Sequence, residues 1–128
     1  MPRILTPQQR ERFYQLAREA GEREQYAYHQ TGKLLSGTDA AEAPYHGCMR
    51  LVWIALAKGV PVARAIADAD GEWRTYATAN NARADAAPKI KVGPSAGQSV
   101  ISYRWVSPDK VQQSVPHVYT MARLITGR

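Results

Sequence analysis

Sulfur, long apolar runs and late acidic residues are what this chain has least of. Its 128 residues include one cysteine, Cys48, which excludes an internal disulfide and any zinc site built on several cysteines. No uninterrupted apolar stretch approaches the roughly 20 residues of a transmembrane helix, so no membrane span is expected. The opening residues, Met1-Pro2-Arg3-Ile4-Leu5-Thr6-Pro7, lack an apolar signal core, and a cytoplasmic location without a secretory signal is the expectation. Acidic side chains nearly vanish after residue 88. Residues 1–88 carry 11 basic and 10 acidic side chains, whereas residues 89–128 carry Lys89, Lys91, Arg104, Lys110, Arg123 and Arg128 against Asp109 alone. The net charge of +6 is therefore almost wholly a property of the last 40 residues. A local field of that sign attracts polyanions or an acidic protein surface.

What is present is the balance of a globular protein, with 45% hydrophobic and 22% charged residues. A chain of this length buries roughly two-thirds of its unfolded surface and needs no covalent staple, so one domain over residues 1–128 is expected. Thr6 followed by Pro7 and Gln9 stands in capping-box register and starts a helix. Phe13, Leu16, Ala17 and Ala20 follow at helical spacing, and the stripe continues through Ala27, Tyr28 and Thr31 if the helix survives Gly21. Gly32 and Gly37 end it. Residues 36–47 read as a connector that Pro44 keeps from running on as helix. Cys48–Lys58 is apolar almost all round, the pattern of a central buried helix, with Gly59 as its stop and Pro61 as a fresh start.

Val62, Ile66, Ala69, Trp73 and Tyr76 then form a core-facing helical seam, and Asn80-Asn81 marks its end. Residues 80–88 read as a polar connector. Lys89–Val92 alternates, residues 93–97 form a turn, and residues 99–106 alternate again with β-branched and aromatic content. The pair predicts a β-hairpin packed on the helices. Ile101, Tyr103 and Trp105 would face the helices, with Lys89, Lys91 and Arg104 turned to solvent. Ser107-Pro108 restarts a helix whose Val111, Val115, Val118, Ala122 and Ile125 keep the seam, with a kink or a junction of two short helices at Pro116. The expected architecture is thus α+β and mostly helical. About four helices, in a helical part at 6–80, carry one late hairpin, in a basic part at 89–126.

Several chemistries lack their residues. His29, His46 and His117 are scattered with no paired-ligand spacing, and the glycines at 93 and 97 have neither the Lys nor the strand–loop–helix setting of a phosphate loop. No metal or cofactor is expected. Asp68, Asp70 and Glu72 stand near Arg64 and Arg74 on one predicted helix, the arrangement of a salt-bridged solvated face. Cys48 follows Tyr45-His46-Gly47 at what reads as a helix start, where the helix dipole favours a thiolate. That placement resembles papain-like cysteine hydrolases, which draw their base histidine from much later in the chain. The resemblance implies a hydrolase or transferase with Cys48 as nucleophile and His117 as base, although Met49-Arg50 stand where that family has small residues. The competing reading is a buried helix cysteine acting as a small hydrophobe.

Three functions follow from these residues. The first is a non-enzymatic binding protein whose basic late region, Lys89, Lys91, Arg104, Lys110 and Arg123, contacts nucleic acid or an acidic surface of a nucleic-acid-handling complex. The second is the Cys48/His117 enzyme. The third is a protein–protein adaptor or inhibitor. Tyr14, Tyr26 and Tyr28 on the first helix suit an interface, and such a helix can pair across a two-fold axis into a homodimer.

Overall fold

The computed structural model describes residues 4–34, 37–86, 88–89, 91–94, 96–97 and 106–127, without the side chains of 30–41. Among the described residues five helices follow one another: α1 (Pro7–Leu34), α2 (Gly37–Ala57), α3 (Val62–Ala86), α4 (Lys110–Gln113) and α5 (Val115–Thr126). The start of α1 is a complete capping box. The Gln9 backbone N–H donates to Thr6 Oγ1 at 3.1 Å, and the Thr6 N–H donates to Gln9 Oε1 at 2.9 Å. The helix runs unbroken through Gly21. There a Cβ would stand 3.3 Å from Arg50 Cδ on α2, so the missing side chain lets the two helices approach closely. One turn on, a Cβ on Gly47 would lie 2.6 Å from Glu24 Oε2. Small residues are buried on both helices, Ala17, Ala20 and Ala27 on α1 and Ala43 and Cys48 on α2, as suits this close antiparallel pairing.

The segment expected as a connector at 36–47 is instead the first half of α2, with Pro44 inside the helix. Proline removes one helical bond and crowds the preceding turn. Packing offsets that cost here, since Ala43 is fully buried and Tyr45 packs against the core. The expected stop at Gly59 is present as a Schellman motif. Gly59 has φ of 86°, its N–H reaches the Leu56 carbonyl at 3.0 Å, and the Val60 N–H reaches the Ala55 carbonyl at 3.0 Å.

The α3 seam is buried as its spacing predicts, with Ile66, Ala69 and Trp73 inside and Val62 and Tyr76 at the margin. It does not end at Asn80-Asn81. The helix continues to Ala86, and both asparagines face protein: Asn80 is buried, and the Asn81 amide holds the backbone of Val106. Two short helices meet at Ser114, which settles the Pro116 alternatives in favour of a junction. One buried cluster draws on all five helices, and no helix among the described residues is long and apolar enough to cross a membrane.

The expected α+β class with a late β-hairpin is overturned. Among the described residues there are helices and no β-strand or sheet, apart from a lone bridge at Lys89. The physical reason is visible at both ends of the segment. Lys89, Lys91 and Val92 are exposed, so none of these three side chains is pressed on the helices. At the far end, Val106 spends both backbone groups on a helix side chain rather than on a strand. Its N–H donates to Asn81 Oδ1 at 2.7 Å and its carbonyl accepts from Asn81 Nδ2 at 3.1 Å. Within the stretch expected as a turn, the Ala96 N–H donates to the Gly93 carbonyl at 3.1 Å. The aromatic run Ile101, Tyr103 and Trp105, with Arg104, lies outside the described residues.

Candidate functional site

The late basic residues do not behave alike. Lys89 and Lys91 are exposed on the chain that leaves α3, and Arg123 is exposed in the last turn of α5. None of the three has an ion-pair partner among the described residues. Lys110 is different. Its Nζ lies 2.5 Å from Glu42 Oε1 and 4.7 Å from the centre of the Tyr45 ring, so α2 neutralises it with a carboxylate and covers it with an aromatic face. Asp109, the only acid after residue 88, is also spoken for. Arg74 Nη2 reaches it at 3.0 Å while Arg74 Nε holds Asp70 at 2.8 Å. The Asp70 hydrogen bond and charge, joined by Asp109, hold the Arg74 guanidinium above its ordinary pKa. This is the salt-bridged face expected near Asp68–Glu72, extended to the next element. The paired charges of the late segment thus cancel locally, and Lys89, Lys91 and Arg123 are left as its uncompensated described cations. No contact brings Arg123 to the two lysines.

Sequence reasoning missed a polar cluster where α2 meets α4. Glu42 bridges Lys110 and His46, the second through Oε2 at 3.3 Å from His46 Nε2. The Tyr45 hydroxyl hydrogen-bonds to Ser114 Oγ, and its ring stands edge-on to Trp73 at 6.1 Å. Burial, aided by the Arg23 and Lys110 charges and opposed by Glu42, pushes the His46 pKa below its ordinary 6.5, so the ring is neutral at pH 7. The register of Glu42, Tyr45 and His46 on one helix face was the available signal. It was hidden because Pro44 argued against a helix there, and because the partners lie some 68 residues away. The cluster works as a strut that ties α4 to α2. Each polar atom named in it already has a protein partner.

Cys48 does not open a helix. It sits within α2, 7% exposed, and burial with the nearby Glu72 and Glu24 charges pushes its thiol pKa up to about 11. The dipole argument for a thiolate loses its premise, since stabilisation falls off beyond the first turn. His117 is exposed near the start of α5 and its ring contact is with Trp53, edge-on at 6.2 Å. Among the described residues no group of three or more His, Cys, Asp or Glu side chains converges as a metal site. Compared with protein-family models, curated proteins and solved structures, the chain matches none.

Proposed function

We propose that this chain is a non-enzymatic binding protein that holds nucleic acid through the basic segment leaving α3, with Lys89 and Lys91 as its phosphate contacts. The observation that supports this reading is the division of charge after residue 88. Asp109 and Lys110 are each consumed by an ion pair to an earlier helix, while Lys89 and Lys91 stand exposed two residues apart with no carboxylate against them among the described residues. Unpaired exposed cations are recruited without breaking an existing salt bridge, so the cost is limited to ordering their side chains. Their contacts would be to the phosphate backbone, which gives electrostatic affinity without reading bases. The buried, high-pKa thiol of Cys48 weighs against the cysteine-hydrolase alternative.

The test is a salt titration of binding to random DNA and RNA by fluorescence anisotropy. Two phosphate contacts give a slope of log affinity on log salt of about −1.8 for duplex and about −1.4 for single strands. Changing Lys89 and Lys91 to Ala flattens the slope and weakens all sequences alike. Lys110→Ala leaves the slope unchanged, since Glu42 already holds that charge. Absence of binding at low salt, or an unchanged slope in the double variant, refutes the reading.

A further inference from the structure

Outside the basic segment, a groove between α1 and α5 combines apolar lining with unused charge of both signs. It holds about 330 Å³ and is lined by Arg12, Gln15, Leu16, Glu19, Met121 and Ile125. The four α1 residues stand at i, i+3, i+4 and i+7, one continuous face of the helix. Leu16 and Met121 are only partly covered by the core they border, and Leu124, three residues beyond Met121 on α5, is 64% exposed. Charges sit at the two ends. Arg12 and Glu19 are two helical turns apart, about 10 Å along the axis. Neither has an ion-pair partner among the described residues. The adjacent Arg18 and Glu11, by contrast, are joined to each other, and Arg18 is also bound to Gln15 Oε1 at 2.7 Å.

We propose that this groove is the contact face for a second copy of the chain, the two α1 helices crossing antiparallel about a two-fold axis at Gln15 and Leu16. Antiparallel pairing about that axis sets Arg12 of one copy opposite Glu19 of the other. The symmetry makes the same pair a second time at the opposite end. The face is therefore complementary to itself in charge as well as in its apolar centre. Leu16, Met121 and the rim residue Leu124 would be covered between the two pairs, and Gln15 would meet Leu16 of the partner copy. A polar rim of this kind fixes register and excludes wrong partners, while the apolar centre carries the affinity. Because the groove lies on α1 and α5, pairing leaves Lys89 and Lys91 on a different part of the chain, and success or failure here is independent of nucleic-acid binding.

Charge exchange tests the arrangement. The full chain is followed by sedimentation velocity from micromolar to submillimolar concentration, with thermal unfolding of each variant as a check on folding. The wild type is expected to self-associate to a dimer. Arg12→Glu sets two carboxylates against each other at both ends, and Glu19→Arg sets two guanidinium groups there. Each is expected to raise the dissociation constant at least about tenfold. The combined variant Arg12→Glu/Glu19→Arg restores the pairing with its signs reversed and is expected to return to within a few-fold of the wild type. A wild type that stays monomeric throughout overturns the proposal. Single variants that dimerise like the wild type, or a folded double variant that stays as weak as the singles, overturn it equally, because they show that Arg12 and Glu19 do not meet.

Discussion

The amide of Asn81 holds the chain where it returns to the helices, and changing it by one atom tests whether that clamp is real. Asn81 Oδ1 accepts from the Val106 N–H at 2.7 Å and Nδ2 donates to the Val106 carbonyl at 3.1 Å. The pairing of one donor with one acceptor fixes which way the amide points. Val106 itself is 6% exposed, so its backbone groups have little water to turn to. A net 0.5–1.5 kcal/mol per hydrogen bond makes Asn81→Ala cost about 1–3 kcal/mol. Asn81→Asp is nearly isosteric and more informative. At pH 7 the ionised carboxylate keeps the N–H contact but turns an acceptor oxygen on the Val106 carbonyl, losing one bond and adding repulsion, for a cost of about 2–4 kcal/mol. Protonation supplies an O–H that can donate to that carbonyl again. The folded state therefore favours the protonated acid, and the pKa at 81 lies above the unfolded value of about 3.9. The sign follows: the deficit against wild type is small below the unfolded pKa and grows as pH rises through the folded one. Urea unfolding followed by tryptophan fluorescence, with both proteins compared at each pH, measures the difference. A deficit that is constant from pH 4 to pH 7, or an Asn81→Ala variant as stable as the wild type, would refute the clamp.

Two further outcomes rest on the same core. Trp73 is fully buried and its indole Nε1 donates to the Ser107 carbonyl at 2.7 Å, so Trp73→Ala is expected to cost about 3–5 kcal/mol and Trp73→Phe less, and an unchanged melting temperature in the alanine variant would show that the α3 seam is not a core. With its thiol raised to about 11, Cys48 is expected to react with iodoacetamide far more slowly than a free thiol of pKa about 8.5 at pH 8. Its raised folded pKa also stabilises the fold fully below the unfolded value, with that contribution lost as pH climbs from there toward 11. Rapid alkylation of the native protein at pH 7 would contradict the buried environment.

Local chemistry in the sequence was enough to determine part of the helix punctuation, although α1 runs on through Gly32 to Leu34. Thr6, Pro7 and Gln9 form the capping box, Gly59 stops α2, and the spacing of Ile66, Ala69 and Trp73 places the α3 core face, because caps and periodic faces are settled within a turn or two of chain. The charge asymmetry about residue 88 is likewise a matter of composition alone. Tertiary packing decided the rest. Pro44 and Gly21 were local arguments against helix, and both were overruled by the close α1–α2 pairing, which buries Ala43 and uses the space a glycine leaves. Asn80-Asn81 looked like a terminator, yet in the fold α3 runs on to Ala86 and Asn81 hydrogen-bonds both backbone groups of Val106. Which cations stay free was also beyond the sequence. Lys110 and Lys89 are equivalent letters in a basic tail, and only the fold brings Glu42 to one of them, because an ion pair depends on distance in space and Glu42 is 68 residues away along the chain.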